Sequence, residues 1–222
     1  MSEATPRFRP PFCKASRSTT IGDRFAPFFA REMQLELLPR EPDHDPGGKI
    51  RLRLPQDVQG DAVFSPCRRY RPLLRRWRGE RFPDAFALFI GMNPSTAEAH
   101  VDDPTIAREW EFTVREGYDG FAKTNVADYR ATKPSMLLEE GVTPSSHANL
   151  PTIIDTARRA NLVVLCHGCL NKALAPLGAQ VIEALRHAGV EIMCFGTNAD
   201  GSPKHPLYLA KTTPLIPYGS TT

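Results

Sequence analysis

The sequence predicts an α/β protein: three layers, α/β/α, around a central, mainly parallel four-stranded sheet. Three observations predict it. Segments of strand length recur at residues 86–90, 121–126, 161–166 and 191–195, the first and third almost wholly apolar. Helical patterns separate them, as crossovers between parallel strands require. The first run ends in Gly91 and a polar turn, as expected where strands leave such a sheet and ligands bind.

The elements follow in chain order. Residues 1–60 form an N-terminal extension rich in proline and arginine, expected to be partly disordered. Within it MQLELL (33–38) and KIRLRL (49–54) alternate apolar and polar residues, the pattern of a β-hairpin. Residues 61–222 are expected to form one α/β domain, and 222 residues suffice to bury its core. DAVFSPCRRYR (61–71) reads as an extended lead-in, and residues 72–77 as a helical turn. FALFI (86–90) is a strand buried on both faces. Residues 104–116 form a helix with Pro104 in its first turn, Ile106, Trp110 and Val114 on one stripe, and Gly117 beyond its end. FAKTNV (121–126) is the second strand. A helix over 149–160, the strand NLVVLC (161–166), a helix over 176–188 with Val181, Ile182 and Leu185 inward, and the strand EIMCF (191–195) complete the order.

Four strand exits then converge on one edge. The first brings Gly91, Asn93, Pro94 and Ser95, the second Asn125, Tyr129 and Arg130, and the last His205 and Tyr208. An amide offers both donor and acceptor, which suits reading a base edge or orienting a water, although asparagine is also common in turns. Asp102 and Asp103 can stabilise a cation or act as a base, or one can cap the helix that Pro104 opens. His205 lies in a loop rather than on an apolar face, the setting of a hydrogen-bonding or proton-shuttling imidazole. Tyr129, Arg130 and Tyr208 are suited to stacking on or clamping a ligand.

Net charge is only +3, but seven arginines crowd residues 68–81. Arg68, Arg69, Arg71, Arg75 and Arg76, with Trp77 interleaved, can hold phosphates and stack on a base. An arginine-rich strand paired with acidic neighbours fits the same run. Five cysteines and no secretory leader point to a reducing cytoplasm, and nothing is long enough to span a membrane. Cys166 and Cys169 have metal or redox spacing, but Cys13, Cys67 and Cys194 are scattered, so no metal and no cofactor is expected. No glycine-rich phosphate loop, GxSxG elbow or HExxH motif is present.

The ordered set RRYRPLLRRW, IGMNPSTA, DDPTI, TNVADYRAT and HPLYL resembles the bacterial family known as domain of unknown function 1643, over about residues 64–208. The layout is also similar to the uracil-DNA glycosylase superfamily. There a G-x-[DN]-P motif follows the first strand, an asparagine ends the second, and a histidine–proline motif follows the last. Gly91-Met92-Asn93-Pro94, Asn125 and His205-Pro206 occupy those places, with Leu207 where a small residue is usual. This resemblance implies an N-glycosidic hydrolase acting on a nucleic acid or nucleotide-like ligand. Asn93 would position water, Asn125 read the base and His205 steady the departing base. The negative charge that Asn93 lacks is expected from Asp102 or Asp103 on their nearness in sequence alone. A non-catalytic binding module, or a hydrolase or transferase of nucleotide-like small molecules, are the alternatives.

Overall fold

The computed structural model describes residues 51–219. Its strands are β1 (Leu52–Arg53), β2 (Val58–Val63), β3 (Leu73–Arg78), β4 (Ala87–Gly91), β5 (Val101–Asp102), β6 (Gly120–Asn125), β7 (Leu162–Leu165), β8 (Met193–Cys194) and β9 (Ile216–Pro217). Its α-helices are α1 (Pro104–Arg115), α2 (Asn149–Ala157) and α3 (Ala175–His187). The fold is mixed α/β.

Seven strands form one mixed sheet in the order β2-β3-β6-β4-β7-β8-β9. The four expected strands are adjacent within it, and β6, β4, β7 and β8 pair in parallel. The expectation of a four-stranded sheet is corrected by the antiparallel pairs that flank them: β2–β3, β3–β6 and β8–β9. β1 and β5 form a separate two-stranded sheet. β2 runs across the expected boundary at residues 60/61. Of the expected hairpin, residues 33–38 and 49–50 lie outside the described residues; Leu52–Arg53 pairs with β5.

The largest local correction is β3. Residues 72–77 were expected to turn helical, but Leu73–Arg78 is a strand pairing with both β2 and β6. Its inward face carries Leu74 and Arg76, both fully buried. A charged side chain stands where period-two alternation needs an apolar one, which hides the strand from a hydrophobicity reading.

β4 is buried along its whole length, and alternation sends its side chains to two cores. Ala87 and Phe89 join Phe121 and α1's Ile106, Trp110 and Phe112 on one face. Leu88 and Ile90 join Ala122 with α2's Ile153 and α3's Val181 and Leu185 on the other. α1 opens on Asp103, whose Oδ1 accepts from the backbone N–H groups of Thr105 and Ile106 at 2.9 and 3.0 Å. Its stripe is shifted from the expected one: Glu109, Phe112 and Thr113 are buried and Val114 is 40 % exposed. The reason is a partner beneath the helix, since buried Lys123 of β6 donates to Glu109.

Candidate functional site

The carboxyl ends of β4, β6 and β7, the start of α1 and the loop after β8 enclose a cleft of about 450 Å3. That is within the range of small-molecule sites, roughly 300–1,000 Å3.

Two exits are stitched together below it. Val126, Ala127 and Ala131 donate backbone N–H groups to the carbonyls of Gly91, Met92 and Pro94, each at 2.9 Å. Asn93 braces the same seam, its Nδ2 donating to the carbonyls of Ala131 at 2.6 Å and Pro94 at 2.9 Å. Its Oδ1 has no hydrogen-bond partner among the described residues, and Asn93 lines the cleft.

Asn125, the last residue of β6, is 1 % exposed and lines the cleft, yet neither its Oδ1 nor its Nδ2 has a partner among the described residues. Leaving a buried amide unsatisfied costs of order 1–3 kcal/mol, so such a group calls for an explanation. Its backbone is held firmly. Asn149 at the head of α2 donates through Nδ2 to the carbonyls of Asn125 and Val126, both at 3.0 Å. Gly91 makes room for it: a Cβ there would lie 2.9 Å from Asn125 Oδ1 and 2.5 Å from Lys123 Nζ.

His205 faces the cleft from the loop after β8. Burial, and then the nearby Lys123 ammonium, push its pKa down to about 4 against the opposing effect of Asp103. The ring is therefore neutral at pH 7. Nδ1 accepts from the backbone N–H of Leu207 at 3.3 Å, which places the proton on Nε2 as a free donor. The 167–169 loop closes in behind it: a Cβ on Gly168, whose φ is +72°, would sit 3.3 Å from His205 Cβ. Tyr208, 84 % exposed, stands at the rim with its ring 5.8 Å from that of His205.

The two adjacent aspartates part company. Asp103 caps α1 and lines the cleft. Asp102, 2 % exposed, does not line it: Arg76 Nε donates to its Oδ1 at 2.8 Å, so of the two aspartates expected at the site only Asp103 faces it. Gly91, Ser95, Asn125 and Tyr208 line the cleft, whereas Pro94, Tyr129 and Arg130 do not. Pro94 contributes only its carbonyl to the seam, Tyr129 packs edge-on against Tyr70 at 5.5 Å, and Arg130 pairs with Glu98 at 2.6 Å. Of the arginine run, only Arg71 lines the cleft. Arg68 stacks on Phe64 and meets Glu98, Arg69 gives its carbonyl to Arg130, Arg75 pairs with Asp61, and Trp77 packs on Phe82.

Sequence reasoning missed Lys123, His167 and Asn149. Lys123 shares a face of β6 with Phe121 and Asn125, and a lysine at that period-two position was the available signal. Cys166 lies beneath the cleft, donating to Glu109 Oε1 at 3.7 Å, and burial pushes its thiol up to about 12, so it is no thiolate. Cys169 is exposed. Among the described residues no group of three or more His, Cys, Asp or Glu side chains is placed to hold a metal, and no helix is long and apolar enough to cross a membrane.

A family model described as Protein of unknown function (DUF1643) matches residues 69–207, which include every residue named above as lining the cleft except Tyr208. No curated protein and no solved structure matches the chain.

Proposed function

We propose, for a chain that belongs to the family described as Protein of unknown function (DUF1643), that the cleft binds a nucleobase and hydrolyses its N-glycosidic bond. The single observation that carries this reading is Asn125: a buried side-chain amide with donor and acceptor both unclaimed, in a cleft it shares with Asn93, Asp103 and His205. A carboxamide facing a pocket is matched by the paired donor and acceptor of a base edge. The placement of Gly91-Met92-Asn93-Pro94, Asn125 and His205-Pro206, which resembles that of the uracil-DNA glycosylase motifs, supports the same reading.

The chemistry follows from charge. As the glycosidic bond breaks, its electron pair leaves with the base, and the sugar becomes an oxocarbenium-like cation. Asp103 supplies negative charge on the cation's side. Asn93 Oδ1 accepts a hydrogen bond from the attacking water, whose oxygen bonds to the anomeric carbon and whose proton passes to Asp103 or solvent. His205, neutral, donates its Nε2 proton in a hydrogen bond to the oxyanion developing on the base, which takes its own proton from water. Removing a comparable oxyanion donor costs about 10²–10³ in turnover.

The test is release of free base from oligonucleotides and mononucleotides carrying uracil, mismatched thymine or hypoxanthine. Base release by the intact chain, reduced about 10²-fold or more in His205→Ala, is the expected result. Binding without release from any of these substrates would favour a second reading, a non-catalytic nucleotide-binding module. The double commitment of Asn93 Nδ2 to the loop seam favours that alternative, because it gives Asn93 a bracing role independent of water.

A further inference from the structure

Arg71 is the one arginine of the 68–81 run that lines the cleft, and its surroundings differ from those of its neighbours. Its side chain is 1 % exposed. Nη1 donates to the carbonyl of Ala97, Nε has no partner, and no carboxylate lies within ion-pair distance among the described residues. One carbonyl does not balance a full positive charge. The Asp103 and Glu109 carboxylates offset part of that charge, but from beyond ion-pair distance, so the guanidinium is buried without a hydrogen-bonded counter-ion; its geometry matches a phosphate or carboxylate through two parallel hydrogen bonds. Ser95, whose hydroxyl has no partner among the described residues, lines the same cleft. The first N–H groups of α1 are taken by Asp103, so an anion here draws its donors from Arg71 and Ser95.

We propose that the ligand of this cleft is a free nucleoside phosphate, its phosphate held by Arg71 and Ser95 while Asn125 reads its base. The inference rests on the base-binding reading above and narrows it to mononucleotides. Two observations favour a mononucleotide over a polymer. Arg71 is buried, so a terminal phosphate reaches it more readily than a phosphodiester carrying chain on both sides. The arginines that would track a strand are engaged elsewhere: Arg75 with Asp61, Arg76 with Asp102 and Arg78 with Asp57. Of the charges lining the cleft, Lys123 is paired with Glu109, which leaves Arg71 for the phosphate and Asp103 for the sugar that becomes cationic.

The experiment is a titration of the full chain by calorimetry, with the Arg71 Nε–H resonance followed by NMR. The probes are inorganic phosphate, nucleosides, their 5′-monophosphates and single-stranded oligonucleotides. The inference predicts that phosphate alone shifts the Nε–H signal, and that monophosphates bind at least about tenfold tighter than nucleosides. Arg71→Lys should remove that preference while retaining nucleoside binding. Should the variant not fold, the comparison of nucleoside with monophosphate on the natural chain decides alone. Equal affinity for the two, or an Nε–H signal unmoved by phosphate, overturns the inference and leaves base binding standing. Tighter binding of oligonucleotides than of monophosphates does the same. Failure of every nucleoside, nucleotide and oligonucleotide to bind overturns both readings together.

Discussion

In the β2–β3 ribbon Arg75 meets Asp61, Arg78 meets Asp57 at 2.6 Å and buried Arg76 meets Asp102, whereas the cleft leaves Arg71 Nε and both ends of the Asn125 amide without partners among the described residues. The two regions draw on similar side chains, and Arg71 and Arg76 are both essentially inaccessible. Asp102 and Asp103 are neighbours in the chain, yet one closes an ion pair and the other faces the cleft. The ribbon uses its charges to hold the sheet's edge, whereas the cleft leaves polar groups open that the proposed ligand would satisfy. Local departures from complete polar pairing are expected at sites that bind.

The contrast breaks most sharply at Arg76. Arg76→Met leaves Asp102 buried without its counter-ion and should destabilise the fold by about 3–5 kcal/mol in urea melts. Adding Asp102→Leu should recover much of that loss, because the apolar pair no longer strands a charge. Gly91→Ala comes next. Its Cβ would press on Lys123 Nζ and Asn125 Oδ1, so about 1–3 kcal/mol of stability should go, and nucleotide binding with it.

His205 sharpens the comparison through pH. Its folded-state pKa, near 4, lies below the ordinary 6.5, so protons bind the unfolded chain more tightly. Its share of stability is complete above about pH 6.5 and is lost as pH falls toward 4. Burial lowers the pKa of His167 as well, which adds to the same acid limb. Unfolding midpoints measured from pH 7 to pH 4.5 should fall, and His205→Gln should flatten the fall. The smallest effect belongs to the exposed end of the ribbon. Arg78→Ala breaks a pair whose side chains are 40 % and 59 % exposed, and should cost less than about 1 kcal/mol.

How much of this was legible depended on how each residue announces itself. The parallel strands could be read because residues 87–91 and 162–165 are apolar without interruption, and Asn93 could be placed because it follows such a run, while Asn125 was placed at the end of the mixed segment FAKTNV. β3 was hidden because Arg76 takes an inward position, and the aspartate that makes this tolerable is 26 residues away. The capping of α1 by Asp103 was legible from Pro104, but a cap that also lines a cleft was not. Arg71 looked like one of seven similar arginines, and only its three-dimensional surroundings separate it from the rest. Lys123 and Glu109 lie on different elements, and neither pattern reveals the other.

The most direct measurement replaces Asn125 with leucine and reads stability and ligand binding on the same protein. No side-chain hydrogen bond is lost in that exchange, so urea unfolding should remain within about 1 kcal/mol of the natural chain, or improve, while nucleotide binding disappears. A large loss of stability with nucleotide binding intact would mean that Asn125 serves the fold rather than a ligand, and would contradict the base-reading site.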